Sequence, residues 1–158
     1  MAGRSGRFTS TGTFSPILGT GASGTFGAAG LIFTGGIVGF TSGTGDMIEV
    51  VERYKQLNPG AELVGYLGAL YQVRNSDDIG PLGGNYVNAW KRAANSDARF
   101  RQAQDAIRDA SYYNPAMQKA REDGLSPLGQ YLYYDAIVMH GDGNDWNTFS
   151  PMVNQARG

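Results

Sequence analysis

Apolar side chains recur at helical spacing just after residue 46, and this pattern predicts the first helix of the chain. Asp46 belongs to a residue type that caps helices, and Glu49 three positions later completes the pattern of a capping box. Pro59 and Gly60 then mark the end of the helix. The apolar positions at helical spacing are Met47, Ile48, Val51, Tyr54 and Leu57.

Further helices are indicated through the rest of the chain, separated by turn residues. Ser96 or Asp97 is placed to cap one helix, and Ser126 followed by Pro127 is typical of the start of another. Gly141 is a typical residue after a helix end. The expected helices cover residues 63–73, residues 86–94, Asp97 to Ala110, Pro115 to Gly124, Leu128 to His140, and a last one that starts at Ser150-Pro151.

The first part of the chain has a different pattern. Residues 1–32 show neither helical nor alternating periodicity and are rich in Gly, Ser and Thr, so we expect a flexible segment. Leu31 to Phe40 is apolar but broken by glycines, which fits either a buried, kinked strand or an irregular loop. The sequence thus predicts two parts, a flexible segment over 1–32 and a mainly helical core over 33–158.

Charge and composition exclude several classes of function. The net charge of −1 offers no basic surplus for nucleic acid or an anionic membrane, and no apolar run is long enough to span a bilayer. One histidine and no cysteine argue against disulfides and a zinc site. The basic start with Arg4 and Arg7 is not followed by an apolar stretch, so no signal peptide is visible. All 14 acidic residues lie at or after Asp46.

The turn before the first helix, Gly43-Thr44-Gly45-Asp46, has exposed backbone N–H groups that could hold an anion. A phosphate loop, however, would need a Gly-Lys-Ser/Thr ending, and Asp46 places negative charge where a phosphate would lie. A capped helix start is the structural alternative.

Asp135 lies in a stretch that is apolar on nearly every helical face, which predicts a helix buried all round. A buried carboxylate needs a partner, so a structural ion pair is favoured over a direct role in chemistry. The candidate partners are Arg99, Arg101, Arg108 or an arginine in sequence that this chain lacks.

His140 ends that helix, where the helix dipole alone favours a histidine. The loop after it contains Asp142, Asn144 and Asp145, but Trp146 breaks the spacing of a calcium loop, and we interpret it as a turn. Tyrosines cluster in the same region and either stack on sugar rings or pack in the core. These are Tyr112, Tyr113, Tyr131, Tyr133 and Tyr134.

Several ordered strings resemble the glycoside hydrolase family 46 chitosanases over residues 33–150. They are Thr34-Gly35-Gly36-Ile37-Val38-Gly39-Phe40-Thr41-Ser42-Gly43-Thr44-Gly45-Asp46-Met47, then Tyr112-Tyr113-Asn114-Pro115-Ala116, Leu128-Gly129-Gln130-Tyr131, Tyr134-Asp135-Ala136-Ile137-Val138-Met139-His140-Gly141 and Gly143-Asn144-Asp145. The resemblance implies a mainly α, lysozyme-like, two-lobed α+β hydrolase fold, incomplete at both ends here. It also implies a secreted monomer that cleaves the β-1,4 links of chitosan by an endo-acting, inverting mechanism without a cofactor.

The resemblance also implies roles for single residues. Thr34 matches the threonine that holds the nucleophilic water, and Asp135 matches a structurally paired aspartate. The positions that match substrate-binding residues are Gly39, Thr44, Asp46, Tyr112 and His140.

The catalytic carboxylates of the family have no counterpart in this chain. Where the family has Asp-Gly-Arg-Gly, the chain reads Gly27-Ala28-Ala29-Gly30, and residues 1–45 contain no acidic side chain. Because inverting glycosidases need an acid and a base, we expect hydrolysis by this chain to be impaired. The alternatives are a non-catalytic chitosan-binding module or an incomplete fragment.

Overall fold

The structure, a computed structural model, describes residues 6–8, 14–16, 22–27, 30–76 and 78–157. The chain forms two compact units, Met1–Ala106 and Ile107–Gly158. Helices dominate the described residues from Asp46 onward, so the expected mainly α fold is confirmed. The helices are α1 (Asp46–Leu57), α2 (Leu67–Val73), α3 (Tyr86–Ser96), α4 (Ala98–Arg108), α5 (Asn114–Glu122), α6 (Pro127–His140) and α7 (Phe149–Ala156).

Short antiparallel strands precede the helices. Two of them pair with each other, and the other three form a sheet in the order β3-β4-β5. In that sheet Thr34 of β4 lies opposite Thr41 of β5. The strands are β1 (Gly6–Phe8), β2 (Phe14–Pro16), β3 (Ala22–Gly27), β4 (Gly30–Gly35) and β5 (Phe40–Thr41).

The sequence did not predict the strands before residue 33. Strand pairing uses backbone hydrogen bonds, which Gly, Ser and Thr supply as well as any residue, but such strands lack an alternating apolar pattern. The flexibility of residues 1–32 stays a prediction. For Leu31 to Phe40, the strand alternative is correct as far as Gly35, where a turn begins.

An aromatic cluster forms the core of the first unit. The Trp90 ring meets the Phe100 ring edge to face at 4.9 Å, and Tyr54 meets Phe100 in the same way at 5.0 Å. Tyr86 and Trp90 are fully buried. Burial of such large rings supplies much of the hydrophobic stabilisation of a small unit. It also fixes α1, α3 and α4 against one another.

The second unit has its own smaller core, built from α5, α6 and α7. Tyr133 packs edge to face on Phe149, with ring centroids 5.4 Å apart. Its hydroxyl donates a hydrogen bond of 2.7 Å to Asp123. The buried residues of this core are Ala116, Met117, Ile137, Phe149 and Val153.

The prediction that α6 is buried all round is wrong. Ile137 is its buried residue, and Asp135 is half-buried. Four apolar side chains, three, four or seven positions apart, form a stripe on one face of α6 and are exposed. Asp135 lies near the centre of this stripe. The exposed apolar members of this α6 stripe are Leu128 (69%), Tyr131 (51%), Leu132 (56%) and Met139 (55%).

Helix starts show which capping predictions were correct. Gly45, with φ of 96°, precedes α1 and makes no side-chain cap, so Asp46 is the first helical residue and not the cap. The Ser126 side chain accepts a hydrogen bond from the Gly129 N–H, which confirms the predicted cap of α6. Thr148, not Ser150, precedes α7.

Candidate functional site

Four of the predicted site residues lie on one corner of the first unit, residues 34–46, which we call the 34–46 corner. It consists of the end of β4, the turn Gly36–Gly39, strand β5 and the turn that leads into α1. Thr34 is half-buried, and Gly39 has a φ of 76°, a conformation that favours glycine. Thr44 and Asp46 lie on the second turn and at the first position of α1.

Threonine hydroxyls organise the second turn around Asp46. The Oγ1 atoms of Thr41 and Thr44 are hydrogen-bonded at 2.5 Å, and the Thr44 N–H donates to Thr41 Oγ1 at 3.2 Å. Thr44 Oγ1 also donates a hydrogen bond to Asp46 Oδ1. Thr44 is exposed and Asp46 is half-buried. The carboxylate is therefore oriented by the turn and remains reachable from solvent.

A segment that the sequence analysis missed supports the same turn. The Asn75 N–H donates a hydrogen bond of 2.8 Å to the Gly43 carbonyl, and Asn75 has a positive φ of 59°. A Cβ at Gly45 would lie 3.2 Å from Arg74 Nε, so glycine lets the Arg74 side chain lie against the turn. Asn tolerates this backbone conformation better than most residues, which is the signal that sequence alone could have offered.

The remaining predicted residues belong to the second unit. Tyr112 is partly buried against the core of that unit, and His140 is the exposed last residue of α6. The loop after His140 consists of bends and turns, as interpreted from the sequence. Of the tyrosine cluster, Tyr113 and Tyr131 are exposed.

The candidate partners of Asp135 are engaged elsewhere. Arg99 forms an ion pair with Asp97 at 2.9 Å, and Arg108 pairs with Asp109 at 2.7 Å. Arg101 Nη1 donates to the Ala94 carbonyl at 2.9 Å. The predicted full burial of Asp135 is incorrect, because the residue is half-buried, and its role in a structural ion pair stays a prediction.

A second polar group lies where the end of α1 meets the start of α4. Tyr54 Oη and Asn58 Nδ2 donate to Asp97 Oδ2 at 2.7 and 2.9 Å, and the Arg99 N–H donates to Oδ1 at 2.9 Å. The predicted cap of α4 by Asp97 is therefore confirmed. The Arg99 guanidinium, and next the Tyr54 hydroxyl, hold the pKa of Asp97 well below its usual range. These groups line a recess of about 350 Å³ with the Glu62–Arg92 ion pair.

Metal-binding clusters and membrane-spanning helices are absent from the described residues. In the part of the chain that the structure describes, no group of three or more His, Cys, Asp or Glu side chains could hold a metal ion. None of the described helices has the length and apolarity that a membrane crossing requires. Ala28 and Ala29, which the resemblance aligns with an acidic motif, lie outside the described residues.

Comparison with known proteins gives one consistent relationship. The sequence model of glycosyl hydrolase family 46 matches residues 28–158. The chitosanase of Streptomyces sp. (strain N174) is 51% identical over 117 residues, which are 74% of this chain and 42% of that protein. The chain therefore spans less than half the length of this relative.

Solved structures agree with the sequence match. Chitosanase OU01, in a co-crystal with substrate, matches with a TM-score of 0.79 and 44% identity over 84% of this chain and 56% of that chain. A mutant chitosanase from Bacillus subtilis MY002, complexed with 6 GlcN, matches with a TM-score of 0.73 and 40% identity. That match covers 78% of this chain and 52% of the other.

Proposed function

Because the chain belongs to glycosyl hydrolase family 46, we propose that it is a chitosanase-like glycoside hydrolase that binds glucosamine oligosaccharides of chitosan. The related structures with substrate and with 6 GlcN support this substrate class. The proposed reaction is endo-hydrolysis of β-1,4 links with inversion, without a cofactor. On family grounds we also propose that the protein is secreted and acts as a monomer.

The observation that carries the proposal is the placement of Asp46. Its carboxylate is half-buried, receives a hydrogen bond from the exposed Thr44 hydroxyl and lies at the N-terminal end of α1. Glucosamine carries an ammonium group, and a charge-assisted hydrogen bond to a fixed carboxylate is roughly twice as strong as a neutral one. We propose Asp46 as the residue that recognises this ammonium group. Further proposed substrate contacts are Gly39, Thr44, Tyr112 and His140.

Hydrolysis itself has a weaker basis in this chain. An inverting glycosidase needs one carboxylic acid for the leaving oxygen and one carboxylate to activate water. We propose that Thr34 orients that water, but no acidic residue occurs before Asp46 to serve as acid or base. Loss of general acid–base catalysis costs about 10² to 10⁴-fold in rate. We therefore propose that turnover by this chain is impaired.

The same observation favours a second candidate function, a non-catalytic chitosan-binding module. In such a protein the 34–46 corner would bind the polymer through Asp46 while no bond is broken. The two candidates differ in one measurable quantity, the release of new reducing ends from chitosan.

Binding is tested by calorimetric titration of the protein with a glucosamine hexamer. We expect saturable binding, and we expect Asp46→Asn to raise Kd about tenfold or more, because a charge-assisted hydrogen bond contributes about 1.5 to 3 kcal/mol. Glu49→Gln is the matched control, since it removes the same charge from an exposed position of the same helix. Equal effects of both variants, or no binding by the unmodified protein, would reject the assignment of Asp46.

A reducing-end assay on chitosan then separates the two candidates. Slow release that Thr34→Ala lowers further supports the impaired hydrolase. Binding with no release above that of buffer supports the binding module. If the protein neither binds nor cleaves chitosan, both candidates fail.

A further inference from the structure

Gln104 of α4 is a polar side chain in an apolar core. It is fully buried, with 0% of its surface exposed. Its Oε1 accepts a hydrogen bond of 3.2 Å from the backbone N–H of Ile37, in the turn that follows β4. Its Nε2 has no hydrogen-bond partner in the part of the chain that the structure describes. An unpaired buried donor is costly, so such a residue requires an explanation beyond packing.

The turn is shaped to receive this side chain. Gly36 has a φ of 84°, and a Cβ built on it would lie 2.5 Å from Gln104 Oε1 and 2.7 Å from Cδ2 of Phe40. Real Cβ atoms do not approach other atoms so closely, and a side chain would also be strained at this φ. Gly36 and Gln104 therefore fit one another, and the fit lets the amide oxygen reach the Ile37 N–H.

We propose that Gln104 is a positioning residue for the segment Thr34–Gly39, a proposal that rests on the proposed function. Thr34, the proposed water-orienting residue, and Gly39, a proposed substrate contact, are the two ends of this segment. The hydrogen bond to Ile37 fixes the backbone between them. Gln104 touches no reacting atom; it acts through the turn that it holds.

The test compares a substitution that removes the acceptor oxygen of Gln104 with one that keeps it. Gln104→Met has a similar length but no acceptor, so the Ile37 N–H loses its partner. Gln104→Glu keeps an acceptor oxygen in the same place. Burial raises the pKa of a carboxyl, so the neutral acid is favoured there and an O–H replaces the unpaired N–H. We expect Gln104→Met to raise the Kd for a glucosamine hexamer about fivefold, the ratio expected for one lost hydrogen bond. We expect the Kd of Gln104→Glu to stay within about twofold of that of the unmodified protein.

A direct readout is the hydrogen exchange of the Ile37 amide, followed by NMR. We expect this amide to exchange about tenfold faster in Gln104→Met than in the unmodified protein, while amides of α1 keep their rates, because only the Ile37 N–H loses an acceptor. Leu70→Val is the matched control: it alters a fully buried residue of the same unit that lies outside the corner. It should lower stability without changing either the Ile37 exchange rate or Kd.

Three outcomes would overturn the proposal. One is an unchanged Ile37 exchange rate in Gln104→Met, and another is a Kd that changes as little as in Leu70→Val. The third is a Kd of Gln104→Glu that rises as much as that of Gln104→Met, although circular dichroism shows that Gln104→Glu is folded. If the unmodified protein does not bind the hexamer, the proposed function fails, and the Ile37 exchange rate still decides whether Gln104 holds the turn.

Discussion

Helices α1 and α6 each carry an aspartate of interest, yet their surroundings differ. Helix α1 has apolar positions at helical spacing and buries one face, including Met47, Val50 and Val51. Helix α6 is apolar on nearly every face, but Ile137 is the residue that it buries. Its stripe of Leu128, Tyr131, Leu132 and Met139 is exposed.

The difference shows what a hydrophobic pattern can predict. An amphipathic pattern specifies which face packs, because the polar face has a lower free energy in water. A uniformly apolar pattern specifies no face, so it predicts burial but does not indicate which side of the helix packs against the rest of the protein. For α1 four of the five predicted apolar positions are buried, although Leu57 is half-buried and Val50 was missed. For α6 even the degree of burial was wrong.

A matched pair of methionine substitutions provides the largest expected contrast. Met47 on α1 is fully buried and accepts a hydrogen bond of 3.1 Å from the Tyr86 hydroxyl, whereas Met139 on α6 is 55% exposed. We expect Met47→Ala to lower the free energy of unfolding by about 3 kcal/mol and Met139→Ala to change it by less than about 0.5 kcal/mol. Urea titration followed by circular dichroism measures both values. Comparable losses would mean that the α6 stripe is covered in solution.

A smaller, pH-dependent effect is expected at the C-terminal end of α1, where Tyr54 and Asn58 bind Asp97. Because the Arg99 guanidinium lowers the folded-state pKa of Asp97, its stabilising contribution is fully present above the unfolded-state pKa of about 3.9. The contribution is lost as pH falls below that value toward the folded-state pKa. We therefore expect Asp97→Asn to destabilise the protein at pH 7 and to have less effect at pH 3.

The measurement is urea unfolding of both proteins at the two pH values. Asp78→Asn serves as a control for charge removal, since Asp78 is exposed and accepts its hydrogen bond from the neighbouring Gly80 N–H. A constant difference between Asp97→Asn and the unmodified protein at pH 7 and pH 3 would contradict the prediction.

The helix starts offer the smallest test. Ser126 caps α6 through its side chain, whereas α1 begins after Gly45 without a side-chain cap. We expect Ser126→Ala to lower the free energy of unfolding by about 1 kcal/mol and Ser126→Asp to restore it, because both Ser and Asp cap well. Asp46→Ala should cost less, about 0.5 kcal/mol, because the carboxylate does not cap the helix and acts through the helix dipole and an exposed hydrogen bond from Thr44. A larger loss for Asp46→Ala than for Ser126→Ala would show that Asp46 stabilises the start of α1 by more than its charge.

Sequence reasoning worked where local signals were complete. The end of α1 before Pro59, the Ser126 cap and the Asp97 cap all depend on residues within a few positions of each other. That the 34–46 corner is a binding site stays a prediction, which rests on the resemblance of one continuous string to the family.

The rest could not be read from local sequence, because it depends on partners far apart in the chain. Nothing near Gln104 indicates that its amide oxygen binds Ile37, and nothing near Asn75 indicates that its N–H binds Gly43. The predicted partners of Asp135 within this chain, Arg99, Arg101 and Arg108, bind other groups. Strands in the glycine-rich start were missed because their pairing leaves no apolar alternation.

The hydrogen bond from Ile37 to Gln104 joins positions 67 residues apart. Contacts of such separation must close a long loop, which costs entropy and slows their formation relative to helical contacts. During synthesis, the turn after β4 leaves the ribosome well before α4 does, so the turn cannot acquire this hydrogen bond until α4 has been made. We therefore expect residues 34–39 to reach their final geometry late in folding of the first unit, after α1 has formed.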